Sequence, residues 1–270
     1  ASVLRAQGLR VGMYTSPHLQ DIRERFNLNG ALVDKPTLTA AVERLAPIFE
    51  RVDGARFPEV MATLALYLFA QHEVEVAVVE VSVGGRLDST NVVYPAVSVI
   101  TSISYDHMHL LGRTLKEIAW EKGGIIKPGT PVVTAQQQAD AAAELERIAA
   151  ERSAPFTHIG QHVKLEVATP SVSGQSITLT EDGVTRSYTS ALLGAHQGMN
   201  TAVALTALRR LRLVGIEVTE AAIDEGLRSV FWPGRLEVVG REPLLLLDSA
   251  HNPESVVRLR EALDVLFPQR

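Results

Sequence analysis

The chain has no cysteine, few aromatic residues and no long apolar run, and each absence removes a class of function. Without cysteine there can be no disulfide, thiolate metal site or cysteine nucleophile, so any catalysis must use oxygen and nitrogen groups, and a reducing cytoplasmic address is expected. Aromatics make up 5% of the residues, too few to suggest stacking along a nucleic acid. Lys and Arg total 26 against 31 Asp and Glu, and the net charge of −5 offers no general attraction for a polyanion or an anionic membrane. No stretch approaches the roughly 18 apolar residues of a membrane span, and Ala1-Ser2-Val3 does not open a signal-like segment. An initiator methionine is also lacking, the first methionine being Met13.

What is present is ordinary globular composition, 46% apolar and 21% charged over 270 residues. At roughly 150 residues per domain this length predicts about two domains. Short β-branched runs alternate with segments of helical period, which predicts βα units around a largely parallel sheet. The expected strands are Val11 to Tyr14, Val76 to Val81, Val97 to Ile100, Pro131 to Thr134 and Leu244 to Asp248. Helical spacing covers Leu38 to Phe49, Glu59 to Gln71, Thr114 to Glu121, Ala139 to Ala150 and Gln197 to Val214, with a further helix capped by Thr219 and a last one over Pro253 to Leu266. Val163 to Ser187 alternates at period two around a Glu181 to Gly183 turn, predicting a small antiparallel insert, and Asn29-Gly30 predicts a tight hairpin. Leu236 to Val239 reads as a strand, and Arg241 to Pro243 reads as a linker. The fold class expected is α/β: a mainly parallel sheet flanked by helices, a small antiparallel insert and the start of a second α/β domain.

In open α/β sheets, ligands gather beyond the carboxyl ends of strands. Four polar clusters follow apolar strands here: Thr15 to Leu19, Glu80 with Ser82 to Asn91, Asp106-His107, and Asp248 to Pro253. Each also has a structural reading, since Asp and Asn cap helices and paired glycines permit turns. A carboxylate such as Glu80 at the end of an apolar strand is costly unless paired or holding a cation. Glu80, Asp88, Asp106 and Ser16 are oxygen donors suited to Mg²⁺, and His107 leaves Mn²⁺ open. Arg86, Arg235 and Lys127 could neutralise phosphate. Together these residue types point to nucleotide-dependent chemistry.

The same clusters resemble the folylpolyglutamate synthase and dihydrofolate synthase branch of the Mur ligase family. The residues carrying the resemblance are Tyr14 to Leu19 with Arg23-Glu24-Arg25, similar to YTSPHL…ER, and Glu80 to Asn91, similar to EVGLGGRLDATN with Ser82, Val83 and Ser89 as departures. Asp106-His107 through Lys122 to Lys127, His196-Gln197 with Asn200, Trp232 to Glu237, and Asp248 to Pro253 are similar to further motifs of the branch, with Ser249 in place of glycine.

What the resemblance implies is an ATP-dependent ligase that joins L-glutamate to a folate or dihydropteroate carboxylate through an acyl phosphate. It implies magnesium ligation by Ser16, Glu80 and His107, with Lys122 as a position often carbamylated, and it makes Lys122, His107 and Arg235 the catalytic candidates. Asn200 would approach adenine, Arg235 the terminal phosphates, and Asp248 and His251 the ribose and phosphate. Pro17 and His18 lie in the segment that corresponds to a pterin-binding loop. The resemblance further implies residues 1–240 as a central ATP-binding domain, 241–270 as the opening of a glutamate-ligase domain, small-molecule partners only and a monomeric state. No glycine-rich phosphate loop is found, so the expectation is that the chain is an internal fragment that alone turns ATP over slowly or not at all. The alternatives are another Mur-type ligase, acting on a peptidoglycan precursor or cyanophycin, and a non-catalytic nucleotide-binding module.

Overall fold

The computed structural model describes residues 1–268 in two units, taken separately below: 1–94 with 121–125, and 95–120 with the chain from 126 onward. After a short helix Ser2–Ala6 (α1), the first unit builds a four-stranded sheet from Val11–Tyr14 (β1), Phe26–Leu28 (β2), Ala31–Leu32 (β3) and Val76–Val79 (β4), in the order β3-β2-β1-β4. β1 and β4 run parallel, Val11 opposite Val76 and Tyr14 opposite Val79, so both carboxyl ends point the same way. β2 folds back antiparallel onto β1, and the predicted Asn29-Gly30 turn joins β2 to β3 with φ of 51° and 91°. Both values are those a two-residue hairpin of matching twist demands.

The crossover from β3 to β4 contains helices Lys35–Phe49 (α2) and Phe57–Gln71 (α3). α2 starts earlier than its apolar spacing suggested because the Asp34 carboxylate caps it, accepting the Thr37 N–H at 2.7 Å. Tyr14 and Phe26 from the sheet and Leu45, Leu64, Leu68 and Phe69 from the helices form one buried core. A Cβ at Gly12 would lie 2.6 Å from the Phe69 ring, so glycine is what lets α3 approach β1.

The second unit holds a parallel sheet of Ser98–Ile100 (β5), Val132–Thr134 (β6) and Phe156–His158 (β7), in the order β5-β6-β7. Met108–Leu111 (α4) and Leu115–Gly123 (α5) follow β5, the last turn of α5 belonging to the first unit, and Ala139–Glu151 (α6) connects β6 to β7. Ala141, Leu145, Ile148 and Ala149 make the buried stripe of α6 at the spacing the sequence showed. The predicted insert is a three-stranded antiparallel sheet of Val163–Val167 (β8), Gln175–Glu181 (β9) and Val184–Ser190 (β10), with Asp182-Gly183 at the tight turn.

Ala195–Arg210 (α7) packs on β5, β6, β8 and β9 and so joins the two sheets of this unit. It gives way to a 3-10 turn, Leu211–Val214, which Gly215 ends at φ 82°, so the single helix expected to Val214 changes form in its last turn. Thr219 caps Glu220–Ser229 (α8) as predicted. Strands Glu237–Arg241 (β11) and Leu244–Leu247 (β12) pair antiparallel, and Pro253–Leu266 (α9) packs Ala262 and Leu266 against Leu236. Here the linker reading of Arg241 to Pro243 is corrected. Arg241 pairs with Leu244, and Glu242-Pro243, joined by a cis peptide bond, makes a hairpin turn. Proline beside charge is also what a turn between two edge strands looks like. Strands Phe26–Leu28 and Phe156–His158 were missed because they lack the β-branched run that marks the equally short β5 and β6.

Candidate functional site

β1 and β4 end side by side, which brings Ser16 to Glu80. The Ser16 amide donates to Glu80 Oε2 at 2.8 Å, and the Ser16 hydroxyl donates to the Ser82 hydroxyl at 3.2 Å. The Ser16-Pro17 bond is cis. Ser16 and Glu80, both candidate magnesium donors by sequence, thus meet at the ends of two parallel strands, backbone amide to carboxylate.

Asp88 shapes the loop that follows. One carboxylate oxygen accepts the Ser82 and Val83 amides at 3.0 and 3.2 Å, and the other accepts the Thr90 amide at 2.9 Å and its hydroxyl at 2.5 Å. Both oxygens are engaged in folding the loop, which makes the capping alternative the better description of Asp88. The turn of that loop lies on the end of α5. Arg86 donates its amide to the Glu121 carbonyl at 2.8 Å and its guanidinium to the Glu121 carboxylate at 3.0 Å. A Cβ on Gly85 would sit 2.9 Å from the Lys122 carbonyl oxygen, and one on Gly124 would sit 2.3 Å from Arg86 Cα. The two glycines thus let two backbones touch, and they place Lys122 against the Gly85-Arg86 turn. Arg86, a candidate phosphate ligand by sequence, is paired with Glu121.

Pro17 and His18 lie in a loop organised by residues that carried no assigned role. Glu24 accepts the Leu19, Gln20 and Asp21 amides at 2.7, 3.0 and 2.8 Å, and these bonds hold its carboxyl below the usual range. Arg25, buried, donates to His18 Nδ1 at 3.0 Å and lies over the Phe57 ring at 5.3 Å. A guanidinium can only donate, so His18 carries its proton on Nε2. The reciprocal bonds of Asp21 and Glu24 are a capping box that the spacing Asp-x-x-Glu could have revealed.

In the second unit, His107 caps α4 with a left-handed φ of 47°. Asp106 Oδ1 accepts the His107 amide at 2.8 Å, while Asp106 Oδ2 lies 3.4 Å from the Asn252 side-chain nitrogen. The start of α9 is thereby joined to the Asp106-His107 segment.

The residues expected to meet nucleotide gather near the start of α7 and the ends of the β11-β12 hairpin. Asn200 donates to Gln197 Oε1 at 3.1 Å, one turn beyond His196. Burial pushes the His196 imidazole below its ordinary range; Asp248 opposes this, and the Arg235 and Arg258 charges reinforce it. Arg235, Asp248 and His196 therefore share one electrostatic neighbourhood, although the sequence assigned His196 no part. Asp248 accepts the Leu236 amide at 2.9 Å and the Ala250 amide at 2.8 Å, holding Arg235's neighbour to the end of β12. His251 Nδ1 donates to the Ser249 carbonyl at 2.9 Å, which leaves Nε2 outward on an exposed side chain. Lys127 has its ammonium pKa lowered, by burial first and then by Arg152.

Among the described residues, no three His, Asp or Glu side chains converge as a metal cage. Magnesium does not require one, since it keeps waters and phosphate oxygens and takes only one or two protein carboxylates. The Glu80 carboxylate beside the Ser16 hydroxyl fits that donor chemistry.

Parallel strands with polar loops beyond their carboxyl ends and glycines at their close contacts define an α/β fold of the class that gathers ligands at those ends. The family model of the Mur ligase middle domain matches residues 40–208. Dihydrofolate synthase/folylpolyglutamate synthase of Bacillus subtilis is 37% identical over 98% of this chain and 64% of its own length, and folylpolyglutamate synthase of Lacticaseibacillus casei is 36% identical over 100% and 65%. A solved FPGS complex with AMPPCP and folate superposes with a TM-score of 0.93 at 34% identity, covering 99% of this chain and 67% of that one. The chain belongs to the Mur ligase family, in its folylpolyglutamate synthase and dihydrofolate synthase branch. It spans about a third to two thirds of the length of the curated relatives it matches, from 31% to 65% for the first four.

Proposed function

We propose that this chain serves an ATP-dependent ligase that adds L-glutamate to a folate or dihydropteroate carboxylate through an acyl phosphate. The observation that carries the reading is the Ser16-Glu80 pair at the ends of two parallel strands, followed by the Asp88-braced loop that lies on Lys122. Relatives named for this activity, and a solved FPGS holding AMPPCP and folate, support it. Residues 1–240 are proposed as the ATP-binding domain and 241–270 as the opening of the glutamate-ligase domain.

Ser16, Glu80 and His107 are the proposed magnesium ligands, and Lys122 the proposed carbamate-bearing lysine. The bound cation would neutralise phosphate charge. Arg235 would offset the repulsion between two anions, the substrate carboxylate and the terminal phosphate. Asn200 would meet adenine, and His251 would offer Nε2 to ribose or phosphate. Asp248 acts in part by holding the backbone on which Arg235 stands. His18, fixed as an Nε2–H donor by Arg25, suits an acceptor on a pterin ring, with Pro17 shaping the turn. Attack by the glutamate amine on the acyl phosphate then needs chiefly proximity and alignment. No helix among the described residues is long and apolar enough to cross a membrane. A monomer acting in the cytoplasm, open to magnesium or manganese, completes the proposal.

The test is ADP formation from ATP by the purified enzyme that this chain serves, with Mg²⁺, L-glutamate and dihydropteroate or a reduced folate all required. Glu80→Gln is expected to lower the rate by about a hundredfold or more while the fold survives, because it removes a hard anionic ligand. An unchanged rate overturns the metal assignment. ADP formation that depends on a UDP-linked precursor instead would favour another Mur-type ligase.

A further inference from the structure

The three strands of the parallel sheet in the second unit end at one residue, Gln137, whose side chain meets two of them and whose main-chain amide meets the third. Gln137, two residues before α6, accepts the Ile103 amide on Oε1 at 2.9 Å. Its Nε2 donates to the Thr101 carbonyl at 2.8 Å and to the Thr134 hydroxyl at 2.8 Å. Its own amide donates to His158 Nε2 at 3.1 Å. Thr101 and Ile103 follow β5, Thr134 ends β6 and His158 ends β7.

The polarity of these contacts admits one amide orientation. Ile103 N–H can only donate and Thr101 C=O can only accept, so a flipped amide would leave both opposed. Thr134 spends its own proton on the Ala135 carbonyl at 3.3 Å, which leaves its lone pair for Gln137. His158 is buried, and burial, aided by His162, lowers its imidazole pKa and favours the neutral form that can accept. A carboxylate in place of the Gln137 amide could accept from Ile103 but would face the Thr101 carbonyl with like charge.

We infer that Gln137 is a positioning residue: it fixes the backbone of residues 101–103 across three strand ends and so sets where Asp106 and His107 stand. The far end of the same segment is held by Asp106 on the His107 amide and by Asn252 on Asp106. His107 takes a left-handed conformation that favours glycine or asparagine, and such a residue needs its flanks held. The inference rests on the proposed role of His107 as a metal ligand, and it adds a residue on another loop that makes the role workable.

The experiment compares Gln137→Met, which keeps the volume and removes every side-chain hydrogen bond, with Gln137→Glu, which keeps only the acceptor. Gln136→Met, at the exposed neighbour, is the control. Amide hydrogen exchange and Mn²⁺ affinity are read on each protein. Gln137→Met is expected to speed exchange across residues 101–107 by about tenfold, the worth of the lost bonds, with the β8-β9-β10 sheet unchanged. Its Mn²⁺ affinity should fall about tenfold or more, as for other supports of a metal ligand. Gln137→Glu should retain slow exchange at Ile103 alone, and Gln136→Met should match the wild type.

Unchanged exchange at 101–107, or uniformly faster exchange throughout, overturns the inference. So does a loosened segment with unaltered Mn²⁺ affinity. If the wild type binds no Mn²⁺, the metal reading of His107 fails by itself, and local loosening in Gln137→Met still supports the clamp.

Discussion

Glu181 has about a tenth of its side chain exposed and lies 3.0 Å from Arg209, with Arg210 also bonded to it. Burial is the largest single effect on its carboxyl and pushes the pKa up, but the hydrogen bonds and charges of Arg210 and Arg209 together outweigh it and leave the group below its ordinary range. Arg209 reaches the Tyr188 hydroxyl at 2.9 Å, so the turn end of β9 and the side of β10 are both tied to the end of α7. Removing one partner of a buried ion pair leaves the other uncompensated. Glu181→Gln is therefore expected to cost about 3 kcal/mol, read as a lower urea midpoint with an unchanged slope. Residues of this kind divide what was legible in the sequence from what was not. Ser16 and Glu80 could be found because each follows an apolar strand, a local signal. Gln137 and Glu181 could not, because their partners lie at distant strand ends and on α7, whose adjacency no local pattern encodes.

At the level of elements, the contact between the Gly85-Arg86 turn and the end of α5 is made by backbone against backbone. A Cβ on Gly124 would meet Arg86 at 2.3 Å, and the atoms it meets belong largely to the main chain, which cannot swing aside. Gly124→Ala is expected to destabilise by about 1–3 kcal/mol, as an overpacked contact does, and to weaken Mn²⁺ binding by displacing Lys122 and the loop after Glu80. Calorimetry and metal titration of the same variant check both parts. Wild-type stability and affinity together would mean that the loop is not what holds Lys122. Elements with long amphipathic stripes, such as α6, were readable nearly to the residue. The strands β2 and β7 were not, and the hairpin turn at Glu242-Pro243 was mistaken for a linker because charge and proline mark both.

For the molecule as a whole, the titrations that burial and pairing perturb have one sign near and below neutrality. His158 and His196 are lowered by burial, Glu144 is lowered by its bond to Arg147, and Glu181 is lowered by its two arginines. A group whose folded pKa is depressed contributes stability that is present above its unfolded pKa and is lost as pH falls through the folded one. The two histidines begin to act below about pH 6.5 and the carboxylates below about pH 4.3. The unfolding temperature is therefore expected to fall in two stages on acidification. Scanning calorimetry between neutral and acid pH checks this, and an unfolding temperature that rises below neutrality would contradict it. The general architecture was legible from alternation of strand and helix, since that depends on summed burial. The division into units at residues 94 and 125 was not, because it depends on which packed faces meet.

The bond between Asp106 and Asn252 joins positions 146 residues apart. A chain emerges from the ribosome in order, so Asp106 is made long before the residue that completes its environment. Closing a loop of that length costs about 4 kcal/mol of chain entropy, more than one side-chain contact returns. The intervening sheets and α7 must therefore form first and bring the two ends close. The bond to Asp106 thus forms after them, and a nascent chain that has not yet delivered α9 holds the His107 segment by its Gln137 bonds and the Asp106-His107 turn without it.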